Sequence, residues 1–165
     1  MKKLSIIAAL SLDNAIGKCG QLLWRIPEDM RRFRKLTLHK AVIMGRKTYE
    51  SLPKKPLDLR TNIILSSSDN IDGCLIAHSI DDAISKCPEG ESYIIGGASI
   101  YRQFIGMADK MYLTQVAEYC PIADSYFPKI DYDDWKLVER EEINSSPHCT
   151  FLTYERKKIE RITVL

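Results

Sequence analysis

The chain predicts an α/β fold: three layers, with a mostly parallel twisted central sheet, helices on both faces and a C-terminal antiparallel hairpin. Three observations carry that reading. Leu4 to Leu10 is a nearly continuous apolar run of the kind a strand buried on both faces requires. Apolar runs that break at a glycine and continue as a helix recur at residues 41–52 and 93–104, which is the signature of repeated βα units. Two extended segments, Trp135 to Ile143 and Thr150 to Arg156, flank Asn144-Ser145-Ser146-Pro147 and read as a hairpin at one side of the sheet.

The elements follow in order. After the first strand, residues 11–23 hold Asp13-Asn14, Gly17 and Gly20 without periodicity, and are read as a long loop of the sort that covers a site. A helix starts at Pro27, whose missing N–H costs nothing there, with Glu28 and Asp29 at the positive end of its dipole. Ala41 to Met44 is a short strand, and Gly45-Arg46-Lys47-Thr48 leads into a helix ending near Leu52, before Pro53 and Pro56. Asn62 to Leu65 and Leu75 to Ala77 are strands. Ser79, with Asp82 three residues on, opens the next helix. Tyr93 to Ile95, the turn Gly96-Gly97, a helix from Ala98 to Phe104 and a strand from Lys110 to Val116 complete the body. We take residues 1–158 as one domain and residues 159–165 as a tail.

Composition excludes several classes. With 45% hydrophobic and 28% charged residues, the 165-residue chain is suited to one globular domain rather than to a disordered or fibrous protein. A net charge of +2 with dispersed lysines and arginines speaks against nucleic acid as a partner. Five cysteines without a C-x-x-C pair suggest neither a disulfide framework nor a metal site, and fit a reducing compartment. No apolar run approaches the ~20 residues of a membrane span. A cytoplasmic protein, monomeric by default, is expected.

In the Pro27 helix, Met30, Phe33 and Leu36 fall on one face at about 100° per residue, and Asp29 lies within the same arc. A carboxylate there is costly unless it is hydrogen-bonded. It fits either a helix-supporting acid of the first turn or a functional group. Two strand ends are suited to anions: Gly45-Arg46-Lys47-Thr48, and Ile95-Gly96-Gly97-Ala98, where glycines allow a phosphate close to the backbone. With no glycine five residues before Gly45, a P-loop is excluded. Arg46 with the Ser66-Ser67 pair would favour a ribose 2′-phosphate, hence NADP over NAD. Together these features fit a dinucleotide lying across the sheet beside a small polar substrate.

The sequence resembles the bacterial dihydrofolate reductases over residues 4–157. The likeness is carried by Ile6-Ile7-Ala8-Ala9 with Ala15-Ile16-Gly17, by Trp24 to Phe33, and by Val42 to Leu52. It continues through Arg60 to Ser67, Ile94 to Tyr101, and Ala123-Asp124-Ser125-Tyr126-Phe127-Pro128. The resemblance implies an NADPH-dependent oxidoreductase that reduces 7,8-dihydrofolate to 5,6,7,8-tetrahydrofolate, by hydride transfer to C6 and protonation at N5, and that binds antifolates. It implies that Asp29 is the catalytic acid, bonding the pterin 2-amino group and N3 and supported through water by Thr114. Ile7, Ala8, Met30, Phe33 and Leu52 would wall the substrate pocket, and Arg60 would hold the substrate's carboxylate. For NADPH it implies Ala9, Ile16, Gly17, Arg46, Lys47, Thr48, Ser66, Ser67, His78, Ile95, Gly96, Gly97, Ala98, Ser99, Ile100 and Tyr101. Residues 11–23 would be the family's mobile lid. Leu23 stands where the family usually has Pro before the tryptophan, and Arg25 replaces a smaller polar residue.

Overall fold

The structure, a computed structural model, describes residues 1–68 and 70–158, so the expected tail at 159–165 lies outside the described residues. The apolar run becomes β1 (Lys2–Leu10), with β7 (Gly90–Gly96) on one side and β8 (Lys110–Val116) on the other, both parallel to it. Beyond β7 lie β4 (Ala41–Gly45), β5 (Thr61–Leu65) and β6 (Leu75–Ala77), again parallel. The hairpin of β10 (Trp135–Ile143) and β11 (Cys149–Arg156) is antiparallel and joins the opposite edge, giving the order β10-β11-β8-β1-β7-β4-β5-β6. The expected architecture is therefore the one observed.

Strand alternation sorts the core into two layers. Ile6, Ala8, Ile43, Ile63 and Ile94 point to one face, where α3 (Ile80–Lys86) and α4 (Ala98–Phe104) cover them with Ala83, Ile100, Tyr101 and Phe104. Ile7, Val42, Met44 and Ile64 point to the other, under α1 (Pro27–Thr37), α2 (Arg46–Ser51) and the apolar residues Phe33, Leu36, Tyr49 and Leu52. The Ser79 hydroxyl caps α3 by accepting from Asp82 N at 3.0 Å, as its position suggested.

Residues 11–23 are not one irregular loop. They contain β2 (Ala15–Lys18) and β3 (Gln21–Leu22), which form a small antiparallel sheet with β9 (Ser125–Tyr126). The strands are too short to show a period, and the strand that holds β2 in place lies far along the chain. Among the described residues, no helix is long and apolar enough to cross a membrane.

Candidate active site

The α1 helix starts without a side-chain cap: Ile26 is the cap residue, Pro27 takes the first turn, and Met30 N donates to Ile26 O at 3.0 Å. Two residues after the proline, Asp29 is directed toward β8, where the Thr114 hydroxyl donates to its Oδ1. Thr114 is 2% exposed, so this donor is fixed. The contact is direct, whereas the family likeness suggested an intervening water. Burial pushes the Asp29 carboxyl above the usual carboxylate range, opposed by the Thr114 hydrogen bond and by the charge of Arg32. Around it, Ile7, Phe33 and Leu52 belong to the layer under α1 and α2. Two further expected wall residues do not belong to that buried layer. Met30 is 52% exposed and lies outside the apolar face, because α1 turns the arc of Asp29, Phe33 and Leu36 inward. Ala8 follows Ile7 in a strand, so its side chain points to the opposite layer.

The two glycine turns meet at the ends of β4 and β7. A Cβ on Gly97 would lie 3.3 Å from Thr48 Oγ1, and one on Gly45 would lie 3.2 Å from Ile100 Cγ1. Gly96 has φ 128°, a conformation that a residue with a side chain rarely adopts. These approaches require bare backbone, which is also what lets a diphosphate come close to main-chain N–H groups. At the neighbouring strand ends, Arg46 donates from Nε to Glu50 Oε1 at 2.9 Å and from Nη1 to the Ser68 hydroxyl. His78 Nδ1 lies 3.0 Å from Ser66 O, so Ser66, Ser67 and His78 gather at the ends of β5 and β6. Tyr101 is buried and its hydroxyl donates to Ile7 O at 2.7 Å. Ile95, Ala98 and Ser99 flank the turn, while Ile16 and Gly17 are buried in β2 and Ala9 is half-buried in β1. Bare turns beside a cation and hydroxyls fit a dinucleotide that carries an additional phosphate.

The small sheet of β3, β2 and β9 is held by side-chain contacts as well as by strand pairing. Asp124, just before β9, accepts from Cys19 N at 2.9 Å on Oδ2 and donates its own N–H to Gly17 O at 3.1 Å. Trp24 Nε1 donates to Glu118 Oε2 at 2.9 Å. Between the turn joining β2 and β3 and the helix α2 lies a cleft of about 480 Å³, lined by Cys19, Gly20, Gln21, Lys47, Glu50 and Ser51.

This arrangement matches known proteins over nearly its whole length. The family model described as dihydrofolate reductase matches residues 3–156. The chain belongs to the dihydrofolate reductase family. It is 38% identical to the dihydrofolate reductase of Buchnera aphidicola subsp. Baizongia pistaciae over 157 residues, 90% of this chain and 94% of that protein. It is 36% identical to that of Bacillus subtilis strain 168 over 162 residues, 93% and 95%. In structure it is similar to dihydrofolate reductase from Enterococcus faecalis complexed with NADP(H) and RAB-propyl. The TM-score is 0.87 at 30% identity, covering 94% of this chain and 97% of that one.

Within the dihydrofolate reductase framework, three residues of this chain escaped the sequence reading. Arg32 lies on the inward side of α1, its guanidinium 4.3 Å from the centre of the Phe151 ring and 5.6 Å from that of Tyr112, and Nη2 donates to Thr153 Oγ1 at 3.3 Å. Its charge faces the same region as Asp29. Asp58 pairs with both Arg34 and Arg60. Asp124 was quoted only as part of a motif, and its two hydrogen bonds to the β2 segment needed the fold. Helical spacing from Asp29 was the one available signal for Arg32; nothing local marked Asp58.

Proposed function

We infer that the region around Asp29, between α1 and the segment 11–23, is where this member of the dihydrofolate reductase family reduces 7,8-dihydrofolate to 5,6,7,8-tetrahydrofolate. NADPH, when bound, supplies the hydride that passes to C6 of the substrate. Arg46, with Ser66, Ser67 and His78, would hold the 2′-phosphate end, and Gly96 to Tyr101 with Gly45 to Thr48 the diphosphate. Ala9, Ile16 and Gly17 would meet the nicotinamide end.

The observation that carries the assignment of roles is the Asp29–Thr114 pair on the layer that contains Ile7, Phe33 and Leu52. A carboxylate fixed there accepts from the 2-amino group and N3 of a pterin. Its negative charge favours the protonated ring, which is the form that accepts hydride readily. The proton reaches N5 by way of water. The surrounding apolar side chains lower the local dielectric and so strengthen that charge, while the lid excludes bulk solvent. Arg60 offers its remaining donors to the substrate's carboxylate tail, and antifolates would use the same carboxylate and floor.

All five cysteines are free, which suits a reducing compartment, and we place the enzyme in the cytoplasm as a monomer. The deciding experiment is the fall in nicotinamide absorbance when purified protein meets NADPH and dihydrofolate. Folded protein that binds NADPH but leaves dihydrofolate unchanged would favour a non-catalytic binding module.

A further inference from the structure

Arg60 has a side chain only 4% exposed, and three of its donors are already engaged. Nε donates to the Asp58 carbonyl at 2.8 Å, Nη1 to Thr37 Oγ1 at 3.1 Å and Nη2 to Asp58 Oδ1 at 3.0 Å. Each terminal nitrogen carries a second N–H beyond these bonds, which leaves donors for a further acceptor. Asp58 is itself mostly exposed and is held by Arg34 from α1, which donates to Oδ1 at 3.0 Å and to Oδ2 at 3.2 Å. Hydrogen bonds from Arg34 and Arg60 hold its carboxyl at about 2, so it is charged throughout the neutral range. The turn that brings these groups together has Leu59 at φ 54°, with its carbonyl accepting from His39 N at 2.8 Å. It folds Arg60 back onto the main chain of Asp58.

We propose that Asp58 is an internal competitor for Arg60, a specificity-determining residue that limits how tightly the enzyme holds the anionic tail of its substrate. An incoming carboxylate must share one guanidinium with a fixed carboxylate that neutralises it and repels the newcomer. Arg34, which would otherwise offer a second cation to a tail with more than one carboxylate, is occupied by the same group. The cost falls only on substrates that carry an anionic tail, so Asp58 sets the discrimination between tailed and tail-less pterins and leaves the pterin end alone. This rests on the reading of Arg60 as the tail's partner.

The measurement is the KM of dihydrofolate divided by that of a dihydropterin without the benzoylglutamate tail. Asp58→Asn should lower this ratio about two- to five-fold, the range of an exposed charge interaction. Asp58→Ser, which keeps a polar turn without the charge, should lower it likewise, and so covers the case in which one variant folds poorly. Arg60→Gln should raise the ratio. If Arg60→Gln leaves it unchanged, the assignment of Arg60 to the tail is wrong. If Arg60→Gln raises it while the Asp58 variants leave it unchanged, there is no competition. If they also raise it, Asp58 orients Arg60 and the proposal is overturned.

Discussion

Replacing Thr114 by Val tests the central electrostatic claim with little change of shape. The hydroxyl donates to Asp29 Oδ1 from a residue that is 2% exposed, and the pair is set against the apolar layer under α1. A hydrogen bond to a charged group is worth about 1.5–3 kcal/mol, so its loss shifts the balance between ionised and protonated Asp29 by about ten- to a hundred-fold toward the acid form. The carboxyl is already above its ordinary value through burial, and with Thr114 gone only the charge of Arg32 still opposes that. Activity that needs ionised Asp29 should then fail at higher pH than in the parent. The assay is kcat/KM for dihydrofolate from acid to neutral pH, with the thermal midpoint as a control for folding. An acid limb in the same place as the parent's would refute the view that this hydroxyl holds the charge on Asp29.

Other expectations follow from the same geometry. Asp29→Asn should abolish most turnover at neutral pH and cost less at low pH, where more substrate arrives protonated; equal loss across a pH series contradicts the role. The same variant should be more heat-stable at neutral pH. Folding raises the Asp29 pKa from its ordinary 3.8, so the folded chain keeps a proton that the unfolded chain releases, and stability falls as pH rises through that window. Melting midpoints of parent and variant should therefore converge toward acid pH. Arg46→Ala should weaken NADPH about ten- to a hundred-fold while changing NADH much less, measured by fluorescence titration, because a charge-assisted contact is lost only from the phosphate. Leu59→Gly should stabilise the fold by about 1 kcal/mol in urea titration, since a side chain is held in the left-handed region at φ 54°.

Where local chemistry dictates local structure, the sequence was legible. Pro27 followed by two acids predicts a helix start, and α1 begins there. Ser79 with Asp82 predicts a cap, and the hydroxyl makes it. Gly45 and Gly96-Gly97 predict bare turns, and both lie where a Cβ would crowd a neighbour or the backbone has a positive φ. What could not be read depends on partners distant in the chain. β2 is a strand because Ser125 and Tyr126 pair with it, and two- to four-residue segments carry no period of their own. Arg32 faces inward because Phe151 and Thr153 of β11 receive it, against the usual preference of a guanidinium for solvent. Leu59 occupies a conformation that its residue type disfavours, so no turn rule would have placed Asp58 against Arg60.

The hydroxyl of Tyr101 grips the carbonyl of Ile7 across the sheet at 2.7 Å. The helix that carries Tyr101 follows the glycine turn on one side of the molecule, while Ile7 forms part of the floor on the other. A single buried bond thus stitches together two compartments that strand alternation would otherwise keep apart. A disturbance of α4 large enough to break it strips a partner from the Ile7 backbone, part of the floor proposed for the pterin. The same loss is felt whichever compartment moves first, as thermodynamic reciprocity demands of any energetic link between two binding events. The two faces of the sheet are in this respect tied through one buried bond, and a ligand proposed for either face bears on the other.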